Sequence, residues 1–312
     1  MRSTFGQLIT NCFDITQNQS NTTNTTLKTF FKNEINSTCR FIYADLRNHQ
    51  TTRAQTFTTV ASQQYYHNPP DLMDIETVTI TVGSVTYTLT SVDSQRRWDE
   101  LNNVTFSGVA SPTHFFQRRD DFGIWPIPQG AYSAKLNYTY RLKNMTADDY
   151  STATISLTNG SVTVTGSGTT FTSAMTGRWL IPTTDGYAYR IASYSSATSI
   201  ALDNYFQGTT ISGDTYVIGE SPEIPPDMHE FIPYRVAERY FSGVRKDKDT
   251  AVFWSNMFWT GDPYNTSRDM KSAQGGYLGA KKRYSLRSNS RIIRRGRRTG
   301  SYLDRLWGTT IS

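Results

Sequence analysis

The amino-acid sequence predicts an α+β protein, with N-terminal and C-terminal helices packed with an antiparallel β-rich centre. Apolar residues recur at helical spacing near the N-terminus and again after residue 230, whereas many residues between these regions alternate with period two. The composition also favours strands. Charged residues make up only 19% of the chain, aromatic residues reach 13%, and Thr, Ser, Asn, Tyr and Gly dominate the remainder.

The bulk properties exclude several classes of protein. The 312 residues are enough to bury a sizeable core without disulfides or metals. No run of 18 apolar residues occurs, and the N-terminus lacks the apolar core of a signal peptide, so we expect no membrane partner and synthesis in a cytoplasm. Cys12 and Cys39 both fall on apolar helical faces, which favours buried free thiols over a disulfide between them.

Two helices are predicted before residue 50. The first is short, and its apolar residues recur at spacings of three and four: Phe5, Leu8, Ile9, Cys12 and Phe13. An uncharged polar linker follows over residues 16–26, and its last Asn and Thr residues can cap the next helix. The second helix keeps the helical period over residues 27–46 without Gly or Pro, so it is the most strongly predicted helix of the chain.

From about residue 56 the pattern becomes that of β-strands. Residues 78–82 and 85–89 flank Gly83-Ser84 and predict a β-hairpin. Further strands are predicted over residues 104–106, 114–118, 123–126 and 132–140. We expect these strands to belong to one antiparallel sheet system.

Residues 152–219 differ from their surroundings. Few charges occur there, and Asn159-Gly160 and Asp185-Gly186 each separate two runs with the pattern of a β-hairpin. Asp148-Asp149 precedes the segment, and several prolines follow it. We interpret residues 152–219 as a small all-β domain of about six strands, inserted into a core that consists of residues 1–151 and 220–280.

Helical spacing returns after this insert. Phe231, Ile232, Val236 and Tyr240 mark one helix and residues 251–258 mark another, and we expect the two helices to pack together. Pro233 must lie in the first turn of its helix or kink it. Trp254 and Trp259 lie in this aromatic helix pair, where core or subunit packing is the common outcome and ligand stacking is rare.

The C-terminal segment carries the positive charge. Residues 281–298 contain nine Lys or Arg and no acid, whereas the formal net charge of the chain is +6, so the rest of the protein has a net charge of about −3. We interpret residues 281–312 as an extended basic tail that needs a partner. Apolar residues interleave with the charge, which favours an acidic protein groove over nucleic-acid phosphate or a merely solvated tail.

Motifs for catalysis are absent from the sequence. The four histidines lie far apart without the spacing of a metal site or a catalytic triad. Asp120-Asp121 and Asp148-Asp149 are adjacent carboxylates, and turn or rim positions explain them better than acid/base work or a magnesium site. Gly166-Ser167-Gly168 lacks the Lys-Ser/Thr of a phosphate-binding loop, so a β-turn is expected. The sequence predicts a non-enzymatic protein without cofactor or metal.

The order of these elements resembles the head-to-tail adaptor (connector) proteins of tailed bacteriophages. The resemblance is carried by the helix over residues 27–46 and by five further segments: FTTVASQQYY (57–66), PPD (69–71), WDELN (98–102), FGIWPIP (122–128) and IPYRVAERYF (232–241). Within the insert, VTVTGSGTTF (162–171) is similar to a small β-module found in many phage virion proteins. Each motif is short, so their order carries the resemblance.

The resemblance implies a structural virion protein of the neck, assembled in the cytoplasm of the host as a dodecameric ring beneath the portal protein. Helices would pack around a channel through which DNA passes with non-specific contacts, and a downstream tail or nozzle protein would attach to the ring. The basic tail would reach into clefts of the portal. The inserted domain would project outward toward tail fibres, tail proteins or host glycans.

Two sets of residues are candidates for these contacts. The candidate portal-binding set is Lys281, Lys282, Arg283, Arg287, Arg291, Ile292, Ile293, Arg294, Arg295, Arg297, Arg298 and Trp307. The candidate subunit interface is Trp254, Phe258 and Trp259, with the hairpin over residues 78–89 as a second surface, because a closed ring needs two different complementary surfaces.

Two other functions fit parts of the sequence. A nucleic-acid-binding capsid or packaging protein would use the arginine-rich tail to bind phosphate. A receptor-binding or carbohydrate-binding virion protein would use the insert, which is rich in Tyr, Trp, Thr and Asn. Neither function explains why helices bracket a split β-domain.

Overall fold

The computed structural model describes residues 2–46, 52–104, 111–264 and 275–283. The chain forms two compact units, one of residues 1–49 and 144–312 and the other of residues 50–143, which we call the terminal unit and the central unit. The terminal unit contains helices and a seven-stranded sheet, and the central unit contains two four-stranded sheets and a short helix. The predicted α+β class is therefore confirmed.

The two predicted N-terminal helices are present. Helix α1 (Phe5–Ile15) starts with a capping box, in which Thr4 Oγ1 accepts from the Gln7 N–H (3.2 Å) and the Gln7 side chain accepts from the Thr4 N–H (2.9 Å). Helix α2 (Thr25–Asp45) starts after Asn24, whose side chain accepts from the N–H of Leu27, so the polar linker provides the expected cap.

Both cysteines lie in the core of the terminal unit. Cys12 of α1 and Cys39 of α2 are buried free thiols, as predicted. Burial raises the pKa of Cys39 to about 12, so this thiol stays protonated and unreactive at neutral pH. Phe13 meets Phe31 edge to face with ring centroids 4.9 Å apart, and the predicted apolar stripe of α1 is thereby covered.

The described part of the central unit contains eight strands and helix α3 (Gln95–Asn102). The strands are β1 (Thr52–Thr58), β2 (Tyr65–His67), β3 (Leu72–Val82), β4 (Val85–Thr88), β5 (Thr90–Ser91), β6 (His114–Gln117), β7 (Asp121–Trp125) and β8 (Ser133–Tyr140). They form two sheets, with strand orders β1-β8-β3-β4 and β2-β7-β6-β5. The predicted hairpin is confirmed, because β3 and β4 pair from Val82 opposite Val85.

One sequence prediction for this unit was wrong. The strands form two sheets, and β5 pairs with β6 in parallel, whereas we expected one antiparallel system. The physical reason is α3, which lies between β5 and β6 in the chain and provides the crossover that parallel neighbours require. Val104, the first residue of the strand predicted over residues 104–106, lies in a bend after α3, and the rest of that strand falls outside the described residues.

The core of the central unit is built around Trp98 of α3. Its indole is fully buried, stacks on Phe116 with ring centroids 5.5 Å apart, and donates from Nε1 to the hydroxyl of Tyr65 (3.2 Å). Gly123 of β7 lies directly beneath this ring, and a Cβ atom there would collide with Trp98 and Tyr65. The glycine of the FGIWPIP segment is therefore needed for close packing of a strand against α3.

Residues 154–219 form one seven-stranded antiparallel sheet, whereas the sequence predicted about six strands. Its strands are β9 (Thr154–Leu157), β10 (Thr163–Ser167), β11 (Trp179–Pro182), β12 (Tyr189–Ser196), β13 (Ser199–Leu202), β14 (Ile211–Asp214) and β15 (Tyr216–Gly219). Gly160 and Gly186 adopt positive φ angles of +76° and +71° in the two predicted turns. The sheet encloses its own apolar cluster, which includes Phe171, Phe206 and Tyr216. We call residues 154–219 the β-domain; that it is an insertion stays a prediction.

The helices that follow the β-domain complete the terminal unit. A 3₁₀ segment (Pro226–Phe231) leads into α4 (Ile232–Arg239), a π-helical turn (Tyr240–Arg245), α5 (Lys248–Thr260) and a further helix, α6, over residues 276–283. Pro233 lies in the first turn of α4, where its missing N–H costs nothing. Tyr234 of α4 stacks on Trp254 of α5 at 5.6 Å, so the predicted packing of these helices is confirmed.

Candidate interaction surfaces

Helix α6 connects the basic C-terminal segment to the terminal unit through a cluster of four aromatic rings. Tyr277 of α6 is fully buried, and its ring stacks on Phe258 of α5 with a centroid distance of 5.1 Å and an interplanar angle of 11°. Trp259 and Phe41 lie 5.9 and 6.2 Å from the same ring. We call Phe41, Phe258, Trp259 and Tyr277 the aromatic anchor, because it fixes the helix in which the basic residues begin.

Polar contacts complete the aromatic anchor. The carboxylate of Asp45, the last residue of α2, accepts a hydrogen bond from the Tyr277 hydroxyl and forms an ion pair with Lys281 Nζ (2.6 Å). Burial, together with the carboxylate of Asp45, raises the pKa of Tyr277 above its usual range. Asp45 therefore holds a neutral phenol and a lysine from successive turns of α6.

A cation also packs against the aromatic anchor. The guanidinium of Arg235 lies 5.2 Å from the ring centroid of Phe41, 5.3 Å from that of Phe258 and 5.7 Å from that of Trp259. Its charge is compensated by Glu238 one turn later in α4 (2.8 Å). Since this arginine is largely buried, the cation–π contacts are partly desolvated and contribute more than they would at the surface.

The end of α5 and the start of α6 touch backbone to backbone. Gly261 and Gly276 have φ angles of +74° and +59°, which glycine adopts without strain. A Cβ atom on Gly276 would lie 2.6 Å from the carbonyl carbon of Thr260. The two glycines thus permit the close approach that brings Tyr277 onto Phe258.

The carboxylate pair at the entrance to the β-domain has a structural role. Asp149 accepts hydrogen bonds from the Thr4 hydroxyl and from the Gly6 N–H (3.1 Å), and a Cβ atom on Gly6 or on Gly219 would collide with its carboxylate. Burial raises the pKa of Asp149. Asp148 is exposed and pairs with lysines of α2. A structural role therefore explains the positions of Asp148 and Asp149 better than catalysis does, as the sequence predicted.

The N-terminal residues are bound beside a buried histidine. The N–H of Ser3 donates to His229 Nδ1 (3.0 Å), so the neutral ring carries its proton on Nε2, which faces the carbonyl of Ile224 (3.3 Å). Burial lowers the pKa of His229 to about 4. The guanidinium of Arg2 lies 3.9 Å from the ring centroid of Trp179 in the β-domain. Residues 2–3 thus connect the β-domain to the 3₁₀ segment after it.

Within residues 2–46, 52–104, 111–264 and 275–283, no group of three or more His, Cys, Asp or Glu side chains is placed to bind a metal ion. No helix in these described ranges combines the length and the apolar character needed to cross a bilayer.

Comparison with known proteins identifies the family of this chain. The family model described as SU10 adaptor protein matches residues 3–161, half of the sequence. The chain belongs to this family. The search of curated proteins returned no match. The protein is therefore a bacteriophage adaptor, a structural component of the virion that interacts with other phage proteins, and the resemblance stated from the sequence is confirmed to that extent.

The family match covers part of the adaptor. The matched residues contain α1, α2 and the whole central unit, and they end between β9 and β10 of the β-domain. Helices α4, α5 and α6 lie beyond the match. The anchor of the basic segment is therefore known from the structure of this adaptor and not from the family model.

The candidate interface residues lie mainly inside the adaptor. Phe258 has no exposed surface and Trp259 is half-buried, and both belong to the aromatic anchor. Trp254 is half-buried against Tyr234. The most exposed apolar residues of α5 are Val252 (55%) and Phe253 (38%), and neither belongs to the predicted subunit interface. A role of Phe258 in contacts between subunits would therefore be indirect, through the position of α6.

The candidate portal-binding set begins inside α6. Lys281, Lys282 and Arg283 are helical, so any extended tail starts no earlier than residue 284, three residues later than predicted. The boundary shifts because the aromatic anchor and Asp45 hold this turn against α2 and α5. The other members of the set lie outside the described residues: Arg287, Arg291, Ile292, Ile293, Arg294, Arg295, Arg297, Arg298 and Trp307.

Proposed function

We propose that the adaptor forms a dodecameric ring in the neck of the virion, between the portal of the filled head and the tail. The observation that carries this proposal is the aromatic anchor, which holds the helix where the basic segment begins against α2 and α5. We call the basic segment after α6 the arm. Because α6 is firmly packed, force on the arm is transmitted to the folded unit, and this arrangement suits a docking role. The partner is an acidic surface, which we take to be the clefts of the portal protein.

Charge supports a separate arm. The body of the adaptor has a net charge of about −3, whereas residues 281–298 carry nine positive charges. Arginine predominates after residue 284, and its guanidinium forms bidentate hydrogen bonds with carboxylates. Ile292, Ile293 and Trp307 provide apolar contacts that offset the entropy lost when the arm is ordered on its partner.

The other parts of the adaptor have distinct roles in this proposal. The domain division is an adaptor core of residues 1–151 and 220–280 with residues 152–219 inserted. The helices of the core surround the channel and make non-specific contacts with passing DNA. The β-domain projects outward and offers a surface to the downstream tail or nozzle protein and to tail fibres. Contacts between Asp149, Thr4 and Gly6 support a fixed attachment of the β-domain to α1.

Removal of residues 284–312 tests the arm. This truncation leaves α6, Tyr277 and Lys281 in place, so the anchor and the fold should survive, as circular dichroism and thermal unfolding will show. In cells infected with phage that lack the adaptor gene, the truncated chain should yield filled heads without tails. A full-length variant with lysine in place of Arg291, Arg294, Arg295, Arg297 and Arg298 keeps the charge and is the matched control.

The measured quantity is the number of tailed particles, counted by electron microscopy. Normal numbers of tailed particles with the truncated chain would refute docking through the arm. If the lysine variant loses attachment as the truncated chain does, then the geometry of the guanidinium groups is required, and not charge alone.

The same arm could instead bind DNA, and salt dependence separates the two partners. Neutralisation of about six phosphates predicts a loss of roughly a thousandfold in affinity for duplex DNA between 50 and 200 mM salt. Tight binding of the isolated adaptor to duplex DNA with this steep dependence, abolished by the truncation, would favour a nucleic-acid-binding packaging protein.

A further inference from the structure

The β-domain is joined to the helices of the terminal unit by a narrow neck of two chain segments. The chain enters the domain after Tyr150 and leaves it after Ile218, and these two residues form an antiparallel bridge with backbone hydrogen bonds of 2.8 and 2.7 Å. Both crossings of the chain therefore lie side by side. Because the domain also encloses its own apolar cluster, this connectivity is the one from which hinged domain motions usually arise.

Tyr150 is held on the domain side of the neck. Its ring centroid lies 6.2 Å from those of Phe171 and Tyr216, which belong to the apolar cluster of the β-domain. Its hydroxyl accepts the N–H of Thr170 (2.7 Å). Tyr150 and, through the bridge, Ile218 are therefore structural parts of the domain.

The segment that leads into the domain is held on the helix side. The side-chain amide of Asn36 in α2 donates to the carbonyl of Met145 (2.9 Å) and accepts its N–H (2.9 Å). Glu220, on the segment that returns from the domain, accepts the N–H groups of Thr146 (2.6 Å) and Ala147 (2.9 Å) with one carboxylate oxygen. The two segments are thereby tied to each other and to α2.

Asp149 and Gly219 lie between these two sides of the neck. A Cβ atom on Gly219 would collide with the carboxylate of Asp149, so the two residues are in direct contact. Rotation about the backbone of this pair would turn the domain while the hydrogen bonds on either side stay intact. Glycine offers little steric resistance to such a rotation.

The N-terminal segment lies across the neck. It is bound on the helix side, because Phe5 is fully buried and donates its N–H to the carbonyl of Glu220 (2.7 Å). The hydroxyl of Ser221 donates to the carbonyl of Ser3 (2.8 Å). The same segment provides a hydroxyl and an N–H that donate to the carboxylate of Asp149. It therefore holds one residue of the rotating pair against α1.

Arg2 extends from this segment onto the β-domain. Its guanidinium lies 3.9 Å from the ring centroid of Trp179, the first residue of β11, and its Nη1 donates to the carbonyl of Pro222 (3.4 Å). Trp179 is half-buried, so the contact between cation and ring is partly exposed to water. A contact of this kind favours one orientation of the domain but breaks more easily than the packing of a core side chain.

We propose that the β-domain is a hinged module that turns about Asp149 and Gly219, and that residues 2–6 are the latch that holds it in the observed orientation. The stacking of Arg2 on Trp179 is the contact that opens when the domain turns. The attachment to α1 is fixed while the latch is closed, and a partner that binds the domain more tightly in another orientation opens the latch. This inference concerns a single copy of the adaptor and does not depend on the proposed ring.

Distances between spin labels on the two sides of the neck test the latch. Thr29→Cys in α2 and Ser195→Cys in β12 provide exposed labelling sites, and the native thiols are buried. In full-length adaptor diluted with unlabelled protein, pulsed electron paramagnetic resonance should give one narrow distance distribution. Arg2→Ala and Trp179→Leu should each widen this distribution about twofold, and the double variant should widen it no further. Arg245→Ala removes an exposed arginine of the π-helical turn and should change nothing.

Hydrogen exchange distinguishes turning of the domain from loss of its fold. With Arg2→Ala, the N–H of Gly6, which bonds to the hinge, should exchange about tenfold faster. The N–H groups of Phe5, on the helix side, and of Ile218, inside the domain, should keep their protection. A distance distribution that stays narrow in both single variants, or one that is already broad in the wild-type adaptor, would overturn the latch. Faster exchange at Ile218 would show that the domain unfolds and does not turn, which would overturn the hinge.

Discussion

The buried histidine beside Ser3 predicts a specific dependence of stability on pH. His229 has no exposed surface, and in the folded adaptor its neutral ring accepts the N–H of Ser3. Burial holds its pKa at about 4, compared with 6.5 for a solvated histidine. The unfolded chain therefore binds a proton between these pH values that the folded chain does not. The stability contributed by the neutral ring is complete above about pH 6.5 and is lost as the pH falls toward 4.

The size of this effect follows from the two pKa values. One pH unit between the folded and unfolded pKa corresponds to about 1.4 kcal/mol, so a fall from 6.5 to about 4 predicts a loss of about 3 kcal/mol. This is a large part of the stability of an ordinary domain. The terminal unit should thus become markedly less stable near pH 4.5, starting from the contact between Ser3 and His229.

Urea denaturation at pH 7, 6, 5 and 4 measures the loss. His229→Asn retains an acceptor for Ser3 but does not titrate, so it is the reference for all other groups that change charge over this range. The difference in unfolding free energy between the wild-type adaptor and the variant should fall by about 3 kcal/mol from pH 7 to pH 4. Parallel pH profiles for the two proteins, or an NMR titration of His229 near 6.5 in the folded state, would refute the reasoning.

Two further predictions concern packing. Tyr277→Phe removes the hydroxyl that donates to Asp45 but keeps the stacked ring, and should cost about 1 kcal/mol in unfolding free energy, whereas Tyr277→Ala should cost roughly 3–5 kcal/mol and loosen α6. Equal losses in urea denaturation would contradict the anchor. Gly123→Ala should cost about 1–3 kcal/mol, because its Cβ would collide with Trp98, whereas Gly130→Ala, with its nearest neighbour at 3.6 Å, should be nearly neutral in thermal unfolding.

Elements whose signal is local were predictable from the sequence. The spacing of Phe5, Leu8 and Cys12 is itself the buried face of α1, and Asn24 is a cap at its expected position. The hairpin between β3 and β4 needs only alternation and a Gly-containing turn. In each case a few neighbouring residues determine the structure, so no information from distant residues is required.

Elements that depend on distant residues were not predictable. Residues 95–102 contain only two large apolar side chains, Trp98 and Leu101, so the pattern for a helix is weak, and the division into two sheets follows from this missed crossover. The aromatic stripe of α5 predicted packing but could not show whether its partner lies in the same chain. Tyr277 follows Gly275-Gly276, which reads as a loop, yet it provides that partner.

This last point changes where contacts between adaptor copies are to be sought. Phe258 and Trp259 are used within the chain to position α6, so the strongest aromatic candidates for a ring contact are already occupied. Val252 and Phe253 are the most exposed apolar residues of α5, so they are the candidates that remain on this helix for a contact between copies. Truncation after residue 283 should therefore abolish attachment to the head without reducing self-association.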